Sequence, residues 1–261
     1  MESLPELVLD KIITYLPLET LIKFKEPGIQ AVSERFVNSS QRCLNQREKL
    51  TVGSKQEPEE WDYFKLNSFE IINLMPNLKE VTIDLPNLFI KHGLLKHVLK
   101  SCSQLEVLHL VIRKEDDLMF LRQENVLLKL KKLTCSVVNF DALTLVMDSS
   151  PYLKSLHVSV PKFSHLMGSK GSLSECMRGL KHGLIKFKFS GNVSKMKEIF
   201  ISPAMETLQN IELEELDPKS KILSVTELRP CPKLICLKTS IDLDQNIINY
   251  LTGFNVRIFK K

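Results

Sequence analysis

The residues that hold metals and move protons are the first to weigh, and the chain has six histidines: His92, His97, His109, His157, His165 and His182. None stands beside a cysteine or an acid at metal-ligand spacing. His92 and His97 are five residues apart, which on a helix turns them about 140° from each other, so they do not share an ion. Six cysteines (Cys43, Cys102, Cys135, Cys176, Cys231 and Cys236) are scattered without a CxxC pair and read as reduced thiols in apolar positions. Cys231 and Cys236, separated by four residues, read as independent thiols. The chain contains no GxGxxG, P-loop or GxSxG motif, and its glycines stand singly. These residues support no catalytic constellation, no metal and no cofactor, and an enzyme is not expected.

Polar side chains do recur at fixed places, and the elements that carry them form a repeat. LKEVTI (Leu78 to Ile83), LEVLHL (Leu105 to Leu110), LKKLTC (Leu130 to Cys135), LKSLHV (Leu153 to Val158), LIKFKF (Leu184 to Phe189), LQNIEL (Leu208 to Leu213) and LICLKT (Leu234 to Thr239) share one template. Their starts are 27, 25, 23, 31, 24 and 26 residues apart by subtraction, enough for a strand, a turn and a returning helix. Positions 1, 4 and 6 are apolar. On an extended backbone, positions 4 and 6 face one side and positions 3 and 5 the other.

Positions 3 and 5 form two columns across such a sheet, and both are small, polar or cationic. Among them His109, Lys132, Thr134, His157, Lys186 and Lys188 are the candidate target-binding residues. Their charge suits an acidic or phosphorylated partner. A merely solvated sheet face is the competing reading.

Between the strands lie helix-compatible stretches at Leu88 to Cys102, Phe140 to Ser150 and Asp244 to Phe254, with Asp141 and Asp244 as expected N-caps. Pro76, Pro151 and Pro232 each stand two residues before position 1 of a unit, where a proline ends the preceding helix. Glu48 to Val52 and Asn255 to Phe259 read as short terminal strands that cap the array.

This pattern resembles the leucine-rich-repeat family, in particular the long, irregular repeats that follow F-boxes, over about Arg47 to Lys261. The resemblance implies an α/β solenoid with parallel strands on one face and helices on the other. The family usually places Asn or Cys at position 9, whereas the first four units here have Pro86, Arg113, Val138 and Pro161.

Ahead of the repeats, Pro5 suits a first helical turn, Leu9, Ile12, Ile13 and Leu16 make an apolar stripe, and Pro17 ends it. Leu4-Pro5, that stripe, Tyr15-Leu16-Pro17, Leu21 and Val32-Ser33-Glu34-Arg35-Phe36 together resemble an F-box. The resemblance implies that Leu4, Pro5, Leu9, Ile12, Ile13, Leu16, Pro17 and Leu21 bind a Skp-type adaptor and, through it, a cullin. Glu26 to Gln30 departs from the family by breaking a usually near-continuous helix.

The expected organisation is an F-box-like helical domain over residues 1–45 and a repeat array of about seven units with terminal caps over 46–261. The function implied is substrate recognition in an SCF-type (Skp-cullin-F-box) ubiquitin ligase, with an unknown protein as target. The alternative is a non-ligase interaction scaffold whose N-terminal helices are only a cap. A net charge of +5 comes from 36 basic and 31 acidic residues intermixed along the chain, and aromatics do not interleave with a basic stripe, so no nucleic-acid partner is expected. No long apolar run or basic leader occurs, which predicts no membrane association and a cytoplasmic or nuclear location.

Overall fold

Water expels the apolar side chains at positions 1, 4 and 6, and the fold is the arrangement that buries all of them at once. Position 1 (Leu78, Leu105, Leu130, Leu153, Leu184, Leu208, Leu234) is buried in every unit. Position 4 (Val81, Leu108, Leu133, Leu156, Phe187, Ile211, Leu237) is buried too, as is position 6 from Ile83 to Thr239. The structure is a computed structural model and describes residues 6–16, 20–21, 34–53, 72–84, 94–112, 116–122, 127–137, 140–160, 180, 183–191, 206–215 and 231–261. The chain divides into two compact units, Met1–Leu105 and Glu106–Lys261.

The first unit contains helices α1 (Glu6–Thr14), α2 (Glu34–Gln46) and α3 (Leu94–Ser101) and strands β1 (Lys49–Gly53) and β2 (Glu80–Asp84). β1 and β2 pair in parallel, from Lys49 opposite Glu80 to Gly53 opposite Asp84. α1 packs on α2: Leu9 and Ile13 are buried on one helix, and Ser39, Ser40, Cys43 and Leu44 on the other. The two buried serines let the helix backbones approach, and Ser40 satisfies its hydroxyl on the Phe36 carbonyl at 2.7 Å. Arg42 forks across Asp10, with Nε to Oδ2 at 3.1 Å and Nη2 to Oδ1 at 2.9 Å. That bidentate bond fixes the rotation of one helix against the other, and the guanidinium holds the Asp10 carboxyl below the usual carboxylate range.

The second unit is an all-parallel sheet of β3 (Val107–Ile112), β4 (Lys132–Val137), β5 (Ser155–Ser159), β6 (Lys186–Gly191), β7 (Asn210–Glu215), β8 (Cys236–Thr239) and β9 (Arg257–Lys260), in chain order. A 3-10 helix at Asp116–Arg122 and α-helices α4 (Phe140–Asp148) and α5 (Gln245–Gly253) lie in the connections. Each strand from β2 to β8 begins at position 3 of its unit. The two short strands expected at the ends of the array are present as β1 and β9.

A four-residue turn precedes position 1. The position-1 amide donates three residues back: Leu78 to Met75, Leu105 to Cys102, Leu130 to Leu127, Leu153 to Ser150 and Leu234 to Cys231, at 3.1–3.3 Å. Pro76, Pro151 and Pro232 occupy the second place of this turn, where a fixed φ near −65° is already the one required. The prolines therefore shape the entry to each strand as well as ending what comes before.

Beyond the turn, one carbonyl receives two amides. The position-2 carbonyl of Glu106 accepts from Lys131 and Lys132, that of Lys131 accepts both from its own unit's successor, Lys154 and Ser155, and Lys154, Ile185 and Gln209 repeat the pattern, all at 2.8–3.1 Å. Glu48 does the same for Lys79 and Glu80. This ladder sets register before the strand pairing starts.

Asp244 caps α5 as expected, its Oδ1 accepting from the Asn246 amide at 2.8 Å. Asp141, expected as the N-cap of α4, is instead the second residue of the helix, two places after the N-cap position, where its charge meets the positive end of the helix. Within the stretch from Leu88 to Cys102 the helix is described from Leu94. Pro86, Arg113, Val138 and Pro161 lie outside the described residues.

Candidate functional site

Two surfaces carry the residues singled out above, one in each unit. In the second unit, register aligns the position-3 column as Val107, Lys132, Ser155, Lys186, Asn210, Cys236 and Arg257, and the position-5 column as His109, Thr134, His157, Lys188, Glu212, Lys238 and Phe259. All of these except Val107, Arg257 and Phe259 line a shallow depression of about 480 Å³ on the side of the sheet opposite the core. All six candidate target-binding residues, His109, Lys132, Thr134, His157, Lys186 and Lys188, lie on it.

Their charges are not equivalent. Lys188 Nζ is 2.9 Å from Glu212 Oε1 and 3.6 Å from Glu214 Oε2 on β7. Lys261 meets the same two carboxylates at 2.5 and 3.8 Å. Burial acts to raise the Glu212 carboxyl, but the hydrogen bonds from Lys188 and Lys261 outweigh it and bring it down to about 2. Two cations and two anions therefore close into a neutral knot. Lys132 and Lys186 are exposed and have no carboxylate partner among the described residues.

His157 sits between these groups, half-buried. Burial lowers its pKa, and the Lys188 ammonium and His109 add to that, against the opposite pull of Glu212 and Glu214. Its Nε2 is 3.4 Å from Ser190 Oγ, which donates to Glu214 Oε2 at 3.2 Å. The order matters. In a nucleophilic triad the histidine stands between serine and carboxylate and takes the serine proton. Here the serine stands in the middle, its hydroxyl proton donated in a hydrogen bond to Glu214 and its oxygen left to accept from His157. Among the described residues no group of three His, Cys, Asp or Glu could hold a metal ion, and no helix is long and apolar enough to cross a membrane.

The second surface is on α1. Leu9 and Ile13 point inward, and Leu21 is buried as well. Val8 and Ile12 on α1, and Tyr15 in the turn directly after its last residue, Thr14, point outward, 42%, 49% and 81% exposed. Their spacing of four and three residues makes a continuous apolar stripe at about 100° per residue, beside the buried one. Leu16 is partly buried, and Leu4, Pro5 and Pro17 lie outside the described residues. The expected adaptor-binding set is thus split: Ile12 faces out, while Leu9, Ile13 and Leu21 face in.

Sequence reading did not single out Val8, Tyr15, Ser190, Glu212, Glu214 or Lys261 as site residues. For Val8 and Tyr15 the helical spacing to Ile12 was a usable signal. Glu212 already stands in the position-5 column beside Lys188, and Glu214 follows from seeing that position 7 shares the face of position 5, so that Lys188 meets it diagonally.

The described cysteines, Cys43, Cys102, Cys135, Cys231 and Cys236, are buried and unbridged; burial pushes the Cys102 thiol up to about 11 and Cys231 up to about 12. Thiols held protonated at neutral pH are poor nucleophiles. No family model and no curated protein matches the chain.

Proposed function

We propose that the chain is the substrate-recognition subunit of an SCF-type ubiquitin ligase. The N-terminal helices act as an F-box that docks on a Skp-type adaptor and through it on a cullin. The array, read as irregular leucine-rich repeats, holds a target protein on its polar face in the cytosol or nucleus. Such a subunit forms no bond itself and works by raising the local concentration of the target.

The observation that carries this reading is the Val8, Ile12, Tyr15 stripe. α1 has already buried one apolar face against its own unit, and a second such face on the same short helix is what a partner helix or groove would cover. The sequence elements around it resemble an F-box in order and spacing.

A second reading, a non-ligase scaffold with a helical cap, has its own support: Leu9, Ile13 and Leu21 are turned inward, as a cap requires. Co-expression of the whole chain with a Skp-type adaptor decides between them. A complex that co-elutes on size exclusion is expected. Separate elution at micromolar concentrations leaves the scaffold.

A further inference from the structure

On the polar face of the second unit, Lys188 and Lys261 are held by carboxylates, whereas Lys132 and Lys186 have no such partner among the described residues. Lys132 on β4 and Lys186 on β6 are in the same register row, with Ser155 of β5 between them. Adjacent strands are about 4.8 Å apart, so the two lysine backbones stand about 10 Å from each other. Each ammonium swings on a flexible four-carbon stem, and both can close on one group seated above Ser155.

We propose that this row, Lys132, Ser155 and Lys186, is a receptor for a single phosphorylated serine or threonine in a segment of the target protein. The proposal rests on the reading that the polar face holds a target. A phosphomonoester at neutral pH has a charge of about −1.5 to −2 and three acceptor oxygens. Two ammonium groups and a hydroxyl approaching from three neighbouring strands match both the charge and the number of acceptors. A lone carboxylate has one charge and would leave one of the two positive charges unbalanced.

The neighbouring column restricts the ligand further. Glu212 and Glu214 are neutralised by Lys188 and Lys261, so this cluster adds no net charge to the depression. A polyanion reaching from Lys132 and Lys186 toward Lys238 on β8 would have to pass the two carboxylates on β7. The position-3 and position-5 residues of β4 to β7 include no Phe, Tyr or Trp on which a base could stack, and their one imidazole, His157, is half-buried. One dianion in an otherwise neutral or basic peptide fits this pattern; RNA does not.

The test uses the full chain and three immobilised degenerate peptide libraries, identical except for a central phosphoserine, serine or glutamate, with an oligouridylate resin beside them. Retention on the phosphoserine library is expected to exceed that on the serine and glutamate libraries by about tenfold or more. Lys132→Gln and Lys186→Gln should each reduce it, and together abolish it. Lys154→Gln with Lys233→Gln, which removes the same charge from exposed lysines outside the depression, should leave it unchanged. Equal retention on the glutamate library, undiminished retention by the Lys132, Lys186 double variant, or stronger retention on oligouridylate would each overturn the proposal. The lysines are exposed, and matching thermal melts verify that the variants are folded. Adaptor co-elution is read on the same preparations: its loss with phosphopeptide retention intact removes the ligase reading alone, and the converse removes the receptor alone.

Discussion

Ile12 and Ile13 are neighbours on α1 with opposite surroundings, 49% and 0% exposed, and replacing each in turn with aspartate separates docking from folding. For Ile13→Asp, roughly 2 kcal/mol of burial is lost, and an unpaired carboxylate in an apolar site adds several kcal/mol more. A small helical unit does not carry that margin, so loss of α1 helicity and a lower urea midpoint are expected. For Ile12→Asp, the side chain already meets water, and surface changes of this kind stay within about 0.5 kcal/mol. Against an adaptor the same change is severe. Covering the remaining half of Ile12 contributes roughly 1 kcal/mol, and a carboxylate desolvated without a partner costs at least about 2 kcal/mol. The sum of about 3 kcal/mol corresponds to roughly a hundredfold weaker complex. Urea titration followed by circular dichroism and adaptor binding by calorimetry read the two effects separately. If Ile12→Asp unfolds the helix as Ile13→Asp does, the orientation of α1 is wrong; if it folds and binds the adaptor undiminished, the exposed stripe is not the docking face.

Other outcomes follow from single contacts. A methyl group on Gly183 would overlap the Thr207 side chain, whose hydroxyl bonds the Leu184 carbonyl at 2.7 Å; Gly183→Ala should lower stability by about 1–3 kcal/mol, with Gly183→Ala/Thr207→Gly recovering part of it in thermal melts. Glu212 is held at about 2 in the folded chain, below its unfolded value of about 4.3. Its contribution is therefore complete above about pH 4.3 and is lost as pH falls through about 2, and Glu212→Gln should flatten that part of the urea-stability profile. Asp244→Ala removes the cap of α5 and should cost about 1 kcal/mol, read as faster amide exchange at Asn246.

The buried half of the molecule was legible in the sequence because one rule governs it. Positions 1, 4 and 6 repeat, strand alternation fixes which way they face, and the observed register follows. Asp244 was legible for the same reason, as a capping residue directly ahead of a periodic stretch. The polar face was legible as a face, including all six of its expected residues, but its charges were not. Whether Lys188 is available depends on Glu214, 26 residues later and on a diagonal, and on Lys261 crossing from the last strand. On α1, two overlapping apolar stripes gave one continuous signal, since residues 100° apart on a helix both belong to a wide apolar arc; which side packs depends on where Ser39, Ser40 and Cys43 of α2 arrive. The turns were read as helix stops because a proline signals an ending in either case, and only the amide returning three residues back distinguishes them.

The carbonyl that receives two amides at each strand entry has a consequence for descent. Among the described residues, the units from Leu130 onward each begin with a backbone attachment to the unit before, and that attachment is indifferent to side-chain identity and to the length of what came between. Spacings of 23 and of 31 residues reach the same starting geometry. Duplication of one unit would add a new strand in register, with two fresh outward positions and no change to the buried ones. Selection can then rewrite the surface one column at a time while the interior is inherited intact.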